Sequence, residues 1–526
     1  MKRTLTSITL MLLAGTSLAE EKALAQSLSL EACIMQAIKR NPDLRSERLN
    51  VLINKEEVIR ELADFGWKLE ASTRYEDRDK PQNTRDATSI QSDGSISLGS
   101  NRIFSENNLR SRVALRKRLS SGAMFELGAT HASLENTLTL GSTNSLFSPE
   151  HEVFMGFTIS QPLLRGAGRD TNLAAVDLAR LKVEASKMLT LVKAMNLVAE
   201  VAARYTDVVA AEENLQVKQA NIDLAESLVE RNKELVKSGK GVQADVTTAE
   251  LAVYQRQDDF LEAQAQRVER LNALLALIDS KPDFKRQTRF VPVRGFHTGS
   301  DLTNKEALVN FALQNRLDVS YYGSVVKSAR LNLMRSENAA KPELNLVGGA
   351  GLYGLDEEVH RAFEQAGDNQ GSEWSIGVEF KMNLGKEEGD ARIRTAEHQL
   401  RQSELGLRKT KTSIALEVDT AHSRVISAKQ RLKTAIKARE LAEQNLKTEQ
   451  ELLDQGKGDL YRVIERQQIL GDTKTNVVAT QALLSKSVVA LWMSSGQLFE
   501  RFGVTEEWIN AIVYEGAPAA KPNENR

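Results

Sequence analysis

Leu235-Val236-Lys237-Ser238-Gly239-Lys240-Gly241 matches Leu452-Leu453-Asp454-Gln455-Gly456-Lys457-Gly458, at an offset of 217 residues. A second pair of similar segments, one beginning at Glu31 and the other at Glu306, is offset by 275 residues. Because the second offset is larger by 58, the first copy contains an insertion, which we place at residues 77–150. The sequence therefore predicts an internally duplicated chain in which each copy has a glycine turn, at 238–241 and at 455–458.

Long helices are predicted on both sides of these turns. Residues 163–281 and 343–517 contain no proline, as long helices require. Apolar or small residues recur there at alternating steps of four and three, the spacing of a seam between packed helices. The two seams consist of Leu181, Ala185, Met188, Val192, Met195, Ala199 and Ala202, and of Ile414, Val418, Ala421, Val425, Ala428, Leu432 and Ala435. A soluble coiled coil has the same spacing.

Segments with a period of two lie between the helical regions of each copy. Apolar residues alternate with polar ones over roughly ten positions, which is typical of a transmembrane β-strand with one face to lipid and one to water. A soluble sheet with one buried face gives the same pattern. The residues that we predict to face lipid are Trp67, Leu69, Phe157, Ile159, Trp374, Ile376, Val378 and Phe380.

The insertion has the pattern of an additional β-hairpin. Val113–Leu119 and Phe125–Ala129 alternate around the turn residues Ser120-Ser121-Gly122, and arginines occupy one face of the first strand. These arginines fit a polar lumen, but a solvated hairpin outside a membrane has the same sequence pattern. The number of membrane strands per chain is therefore four or six.

The N-terminus has the features of an export signal over residues 1–25. Lys2 and Arg3 precede the apolar stretch Ile8–Leu13, and small residues such as Ala19 or Ala25 offer cleavage points. The only cysteine, Cys33, has no disulfide partner and lies in an amphipathic pattern, so we expect it in the core.

Composition excludes some classes of function. The 70 basic and 71 acidic residues leave a net charge of -1, which gives no reason to expect a nucleic-acid partner. The six histidines are scattered without metal-ligand spacing, and neither a phosphate loop nor a nucleophile elbow is present. We therefore expect no enzyme activity, no catalytic residue, no cofactor and no metal.

The order of these features resembles the TolC-type outer-membrane efflux and secretion channels. The resemblance rests on Leu28–Ala32 through Asn41-Pro42-Asp43-Leu44, on Gln161–Gly166 after a strand, on the glycine tips and on the duplication. It implies a mixed α and β fold: an internally duplicated, trimeric TolC-like assembly. In this assembly three chains pool their strands into one transmembrane antiparallel β-barrel, and their helices form a long periplasmic α-helical (coiled-coil) barrel.

The resemblance also implies partners and sites. The chain would be a homotrimer in outer-membrane lipid and would meet a periplasmic adaptor (membrane fusion) protein and an inner-membrane transporter. The expected adaptor contacts at the helical tips are Gly239, Val242, Val246, Gly456, Leu460 and Val463, and the expected periplasmic aperture consists of Asp459, Arg462 and Glu465.

The predicted organisation is a signal peptide (1–25), a first repeat (26–281), a linker or equatorial segment (282–303), a second repeat (304–495), and an equatorial segment with a disordered tail (496–526). The predicted function is the exit duct of a tripartite efflux or type I secretion system. The alternative is a periplasmic coiled-coil adaptor or scaffold without a pore. Neither the transported substrate nor the choice between efflux and secretion follows from the sequence.

Overall fold

The structure, a computed structural model, describes residues 27–81, 88–90, 96–98, 103–136, 149–278, 291–292, 296, 304–505, 508 and 512–513. The predicted signal peptide and the predicted disordered tail lie outside the described residues, as does most of the segment 282–303. The chain forms two compact units, one of residues 1–52, 185–323 and 406–526, and one of residues 53–184 and 324–405.

Ten helices are present in the part of the chain that the structure describes. They are α1 (Leu30–Arg40), α2 (Pro42–Ala63), α3 (Arg169–Lys237), α4 (Gln243–Ile278), α5 (Lys305–Asn315), α6 (Leu317–Ala339), α7 (Val359–Gly367), α8 (Glu387–Asp454), α9 (Leu460–Ser495) and α10 (Leu498–Arg501). At about 1.5 Å per residue, the 69 residues of α3 extend for about 100 Å, as the proline-free sequence predicts.

The same ranges contain ten strands: β1 (Ser27–Leu28), β2 (Trp67–Pro81), β3 (Thr88–Ile90), β4 (Ile96–Leu98), β5 (Ile103–Arg118), β6 (Met124–Asn136), β7 (Glu150–Pro162), β8 (Val291–Pro292), β9 (Glu343–Asp356) and β10 (Gly371–Lys381). The main sheet is antiparallel and has the order β10-β9-β7-β6-β5-β2. Two small pairs, β1 with β8 and β3 with β4, complete the list.

The two copies of the duplication have the same local structure. α1 and α5 begin at side-chain caps, because Ser29 accepts a hydrogen bond from the Ala32 amide and Asn304 accepts one from the Glu306 amide. Both helices end with an equivalent backbone hydrogen bond: the Asn41 amide donates to the Ala37 carbonyl in one copy, and the Arg316 amide donates to the Ala312 carbonyl in the other. These residues are related by the offset of 275, which the sequence alone revealed.

The helical seam of the second copy is confirmed. Ile414, Val418, Val425 and Ala428 are at most 2% exposed, and they pack with Leu308 of α5 and with the apolar side of α9. This row of apolar residues forms a continuous helical core.

The seam predicted for the first copy is wrong in detail. Of its seven residues only Met195 and Ala202 are buried, and the buried row instead runs through Ser186 and Thr190. The Thr190 hydroxyl donates a hydrogen bond to the Ser186 carbonyl of its own helix, at 2.9 Å. Because that bond satisfies the hydroxyl, a polar side chain fills a core position that the apolar pattern does not mark.

Cys33 lies in the core, as predicted: it is fully buried among α1, α3 and α4. Burial, together with the nearby Glu31 carboxylate, raises the pKa of the Cys33 thiol to about 12. At pH 8 the thiol therefore stays protonated and unreactive. We expect a maleimide to leave the folded protein unlabelled at pH 8 and to label it stoichiometrically in denaturant, as read by intact mass; rapid labelling of the folded protein would contradict this placement.

Candidate functional site

One face of the six-stranded sheet is apolar along its whole width. Residues paired side by side form rows across the sheet, and one such row joins Leu69, Leu115, Leu127, Phe157, Ala350 and Trp374. The exposed large side chains on this face include Trp67, Leu69, Tyr75, Leu109, Val113, Leu115, Leu127, Phe157, Ile159, Leu346, Trp374, Ile376, Val378 and Phe380. All eight residues predicted to face lipid lie on this one face.

These side chains are too exposed for the core of a soluble sheet. Trp374 is 77% exposed, Ile376 70% and Leu69 68%. Soluble monomers rarely expose an apolar patch of more than a few hundred Å². Since all six strands contribute to this patch, its natural surroundings are the hydrocarbon of a membrane.

The inserted hairpin is part of this sheet. The strand pairing therefore answers whether the chain contributes four or six strands, which the sequence left open. β5 and β6 pair with each other and lie between β2 and β7. The turn at 119–123 is closed by a bond from the Leu119 amide to the Ala123 carbonyl, and Gly122 has a φ of 96°. The first copy therefore supplies four strands to the sheet and the second copy two.

The opposite face of the sheet carries a ladder of ion pairs. Arg116 contacts both Glu126 and Glu70 at 2.7 Å, and Arg112 also contacts Glu126. Nearer the other end of the strands, Arg78 pairs with Glu106. Such a charged face requires water, so the sheet has one face suited to lipid and one suited to an aqueous lumen.

The apolar band runs obliquely across the strands. The upper end of the band is the end away from the short turn at 119–123. On β10 this end is Trp374, and on β2 it is Tyr75. The row of Trp374 meets β2 at Leu69, which is six residues before Tyr75. Six residues over five strand-to-strand steps correspond to a tilt of about 40°, taking about 3.3 Å per residue and about 4.8 Å between strands. This tilt is the one that strands adopt in closed barrels.

The two glycine turns have the same geometry. Gly239 has a φ of 73° and Gly456 a φ of 72°, a left-handed conformation that favours glycine. In each turn the two amides after the glycine donate to one carbonyl, which lies two residues before the last residue of the helix: that of Leu235 in the first copy and that of Leu452 in the second. These bonds satisfy the free carbonyls at the ends of α3 and α8.

The residue before the second helix of each hairpin differs between the copies. Asp459 caps α9 by accepting a hydrogen bond from the Tyr461 amide at 3.0 Å. Val242 occupies the equivalent position before α4 and is 60% exposed. The first copy therefore has no side-chain acceptor at this cap.

We expect Val242→Asp to raise the free energy of unfolding of the first hairpin by about 0.5–2 kcal/mol, because it supplies the missing cap. Hydrogen exchange of the α4 amides measures the change, and Val242→Asn is the uncharged control. Unchanged or faster exchange in both variants would show that the cap is not formed.

The residues predicted to contact an adaptor fall into two groups. Val246, Leu460 and Val463 are buried, at 3%, 7% and 0% exposure. Leu460 and Val463 pack within one apolar cluster that also contains Leu228 and Leu446. Their side chains serve the packing of the hairpins, so only Gly239, Gly456 and Val242 of the six predicted contacts are exposed; Tyr461, beside the second tip, is 72% exposed.

The three residues predicted at an aperture are exposed: Asp459 immediately precedes α9, and Arg462 and Glu465 lie in its first two turns. Asp459 is occupied as the helix cap, and Glu465 lies 3.9 Å from Arg466. Together with Arg462 they form a charged surface next to the tip at Gly456.

One helix of the described residues, α9, is long and apolar enough to span a bilayer. Half of its apolar stretch is buried within the chain, which is typical of a core helix.

Comparisons with known proteins agree with this geometry. The sequence profile of the family described as outer membrane efflux protein matches residues 118–279 and 308–497. A comparison with curated protein sequences finds no match.

The solved structures that are similar to this chain include three that each cover 89% of it. The CmeC outer membrane channel of Campylobacter jejuni has a TM-score of 0.61, 13% identity and 86% of its own chain covered. The outer membrane protein VceC of Vibrio cholerae has a TM-score of 0.60, 14% identity and 96% covered, and a membrane protein of Pseudomonas aeruginosa has a TM-score of 0.61, 14% identity and 93% covered. At these identities the likeness concerns the fold.

The profile covers more than half of the chain in two segments, one in each copy of the duplication. The family consists of channels rather than enzymes, and its members work with periplasmic adaptors and inner-membrane pumps. The lipid-suited sheet and the long helices are what such a channel needs to cross the outer membrane and extend into the periplasm. The chain belongs to the outer membrane efflux protein family and is an outer-membrane channel with a periplasmic helical extension.

Proposed function

We propose that three copies of this chain form one exit duct, which passes solutes from an inner-membrane pump and its periplasmic adaptor to the exterior. The observation that carries the proposal is the six-stranded sheet with one apolar and one charged face. A single sheet of this kind has free edges, and free edges are not tolerated in lipid because their backbone groups lack partners.

The strand order supports closure by identical copies. Among the described strands, β2 and β10 lie at the two edges of the main sheet, and with six antiparallel strands they run in opposite directions. β10 of one copy can therefore pair with β2 of the next and keep the sheet antiparallel. Three copies give a barrel of 18 strands, a size that leaves an aqueous channel in porins.

The helical tips are the proposed contacts of the adaptor. Gly239 and Gly456 end the long helices, and Val242 and Tyr461 expose apolar surface beside them. An adaptor that binds there buries these two side chains. Val246, Leu460 and Val463 support the same surface from within the hairpins.

The native protein in planar bilayers tests the duct. We expect detergent to be required for its extraction from outer-membrane fractions, a heat-modifiable trimer on gels, and stepwise conductance. Release without detergent, monomers on crosslinking and no conductance would support a periplasmic scaffold instead.

The aperture proposal concerns Asp459, Arg462 and Glu465. Three-fold symmetry brings each charged side chain near two copies of itself, so ion pairs between Arg462 and the acidic residues would hold the constriction closed. Each exposed pair contributes only about 0.2–1 kcal/mol, but three copies act together.

We expect the double variant Arg462→Ala/Glu465→Ala to raise single-channel conductance without lowering the yield of trimer. Conductance of the reconstituted protein is the measurement. The exposed pair Lys437 and Glu440, which lie 3.0 Å apart on α8, provides a matched control when both are changed to alanine. Equal conductance in the two double variants and the wild type would assign Arg462 and Glu465 to the solvated surface.

A further inference from the structure

The short helix α7, between β9 and β10, packs on the apolar face of the sheet. Ala362 and Ala366 are fully buried against Val153 of β7, with Met155 and Leu352 at the margin of the same cluster. Val153 and Leu352 belong to rows of the face that carries Trp67 and Trp374. The helix therefore lies against the outside of the sheet and away from its charged face.

Two features of β9 seat the helix at this place. A Cβ at Gly354 would overlap the carbonyl oxygen of Ala362, so α7 needs a glycine beneath it. The Gln365 side chain donates to the Asp356 carboxylate at 2.9 Å and accepts from the Leu355 amide at 3.2 Å. Packing and hydrogen bonds together hold α7 flat on the strand.

The seat lies at the upper boundary of the apolar face. Gly354 and Val153 share a row, the next row inward along β9 contains Leu352, and the next row outward pairs Asp356 with His151. The connection from β9 to β10 is at the end of the strands opposite to the short turn at 119–123. α7 is therefore at the level where apolar side chains give way to polar ones.

Part of the apolar side of α7 is not used by the sheet. Val359 and Phe363 lie on the same helical side as Ala362 and Ala366, but they are 39% and 36% exposed. The Phe363 ring is 6.4 Å from that of His131 on β6, so this side chain reaches toward the middle of the sheet, on the side of α7 away from β10. A neighbouring copy that pairs with β10 would not cover the Phe363 ring.

The charged residues of α7 lie on its other sides. His360 and Arg361 both contact Glu358, at 3.3 Å and 3.4 Å, and their side chains are 67% and 60% exposed. A helix with one apolar and one charged side that lies at the boundary between the apolar and polar parts of a membrane-facing surface has the features of an interfacial helix.

We propose that α7 is a membrane-interface anchor that inserts Val359 and Phe363 into the acyl-chain boundary of the outer leaflet. The proposal rests on the membrane placement of the sheet, and its ligand is lipid. Its consequence for transport is that the β9–β10 connection folds outward onto lipid and leaves the mouth of the barrel uncovered by this segment.

Spin labels on single cysteines test the anchor in the full-length protein, reconstituted in phosphatidylcholine vesicles. Cys33 is buried and protonated, so it does not compete for the label. We expect a label at Phe363→Cys to collide with oxygen severalfold more often, relative to a water-soluble nickel chelate, than a label at the adjacent Glu364→Cys. Equal, nickel-dominated accessibility at both positions would overturn the proposal.

A label at Ile376→Cys, on the apolar face of β10, tests the membrane placement of the sheet independently of the anchor. Oxygen-dominated accessibility at Ile376 together with nickel-dominated accessibility at Phe363 would refute the anchor alone, and nickel-dominated accessibility at both would refute the membrane face as well. Adding Gly354→Val to the Phe363→Cys variant should unseat the helix and shift the label toward the nickel chelate. An unchanged label in that variant would show that the seat on Gly354 does not position α7.

Discussion

Phe157→Arg is expected to abolish the assembled protein in the outer membrane. Phe157 is 42% exposed near the middle of the apolar face, on the central strand β7. An arginine facing lipid near the bilayer midplane costs about 2–4 kcal/mol, and three symmetric copies bring the cost to about 6–12 kcal/mol per trimer. The measurement is the amount of heat-modifiable trimer in outer-membrane fractions.

The adjacent residue provides the matched control. Thr158 is also exposed but belongs to the opposite face, with Glu126 as its neighbour on β6. Because Glu126 and water can accommodate a cation there, we expect Thr158→Arg to leave the trimer yield near that of the wild type. Loss in both variants, or in Thr158→Arg alone, would mean that the lipid and lumen faces have been assigned wrongly.

Val463→Asp should unfold the packing of the helical hairpins near their tips. Val463 is fully buried in an apolar cluster with Leu228 and Leu446. An uncompensated buried carboxylate costs about 3–5 kcal/mol. We expect rapid proteolysis within α8 and α9, whose residues form most of this cluster, measured by limited digestion of the purified protein followed by mass spectrometry.

Tyr461→Asp is the control for this change, since it introduces the same charge two residues earlier at an exposed position of the same helix. A carboxylate in the first turn of a helix is mildly stabilising, so digestion should remain slow. If both variants resist digestion equally, Val463 is not part of a core, and its predicted role as a surface contact would return.

The strands and the duplication were predictable because each leaves a local signal. Alternation in Trp374–Phe380 marks a strand by itself, and the repeated glycine turns mark the two hairpins. The place of the inserted hairpin was not predictable, since a solvated hairpin has the same alternation. Only the pairing of β5 with β2 and of β6 with β7 shows that Leu115 and Leu127 continue the apolar face.

The helical tips show a signal that was present in the sequence but was not used. Leu460, Val463, Gln467 and Leu470 follow the three-and-four spacing of a buried stripe, and all four are buried. That spacing favours packing within the hairpins over contact with a partner. The first seam had no such signal, because Ser186 and Thr190 occupy buried positions that an apolar pattern omits.

The helix α7 was also missed. Val359, Ala362, Phe363 and Ala366 have the spacing of an amphipathic helix, but nine residues are too few for periodicity alone to indicate one. What places it is a tertiary feature, the glycine at 354 beneath Ala362. A sequence pattern does not report which glycine lies under which helix.

The central claim is that copies of this chain pool six strands each into one closed barrel. Electron cryo-microscopy of the native protein, extracted from the outer membrane in mild detergent, tests this claim most directly. The account predicts three chains around one axis and a wall of 18 strands, with β10 of each copy paired with β2 of the next. A wall of 12 strands with the β5–β6 hairpin outside it, or isolated chains with unpaired sheet edges, would contradict the account.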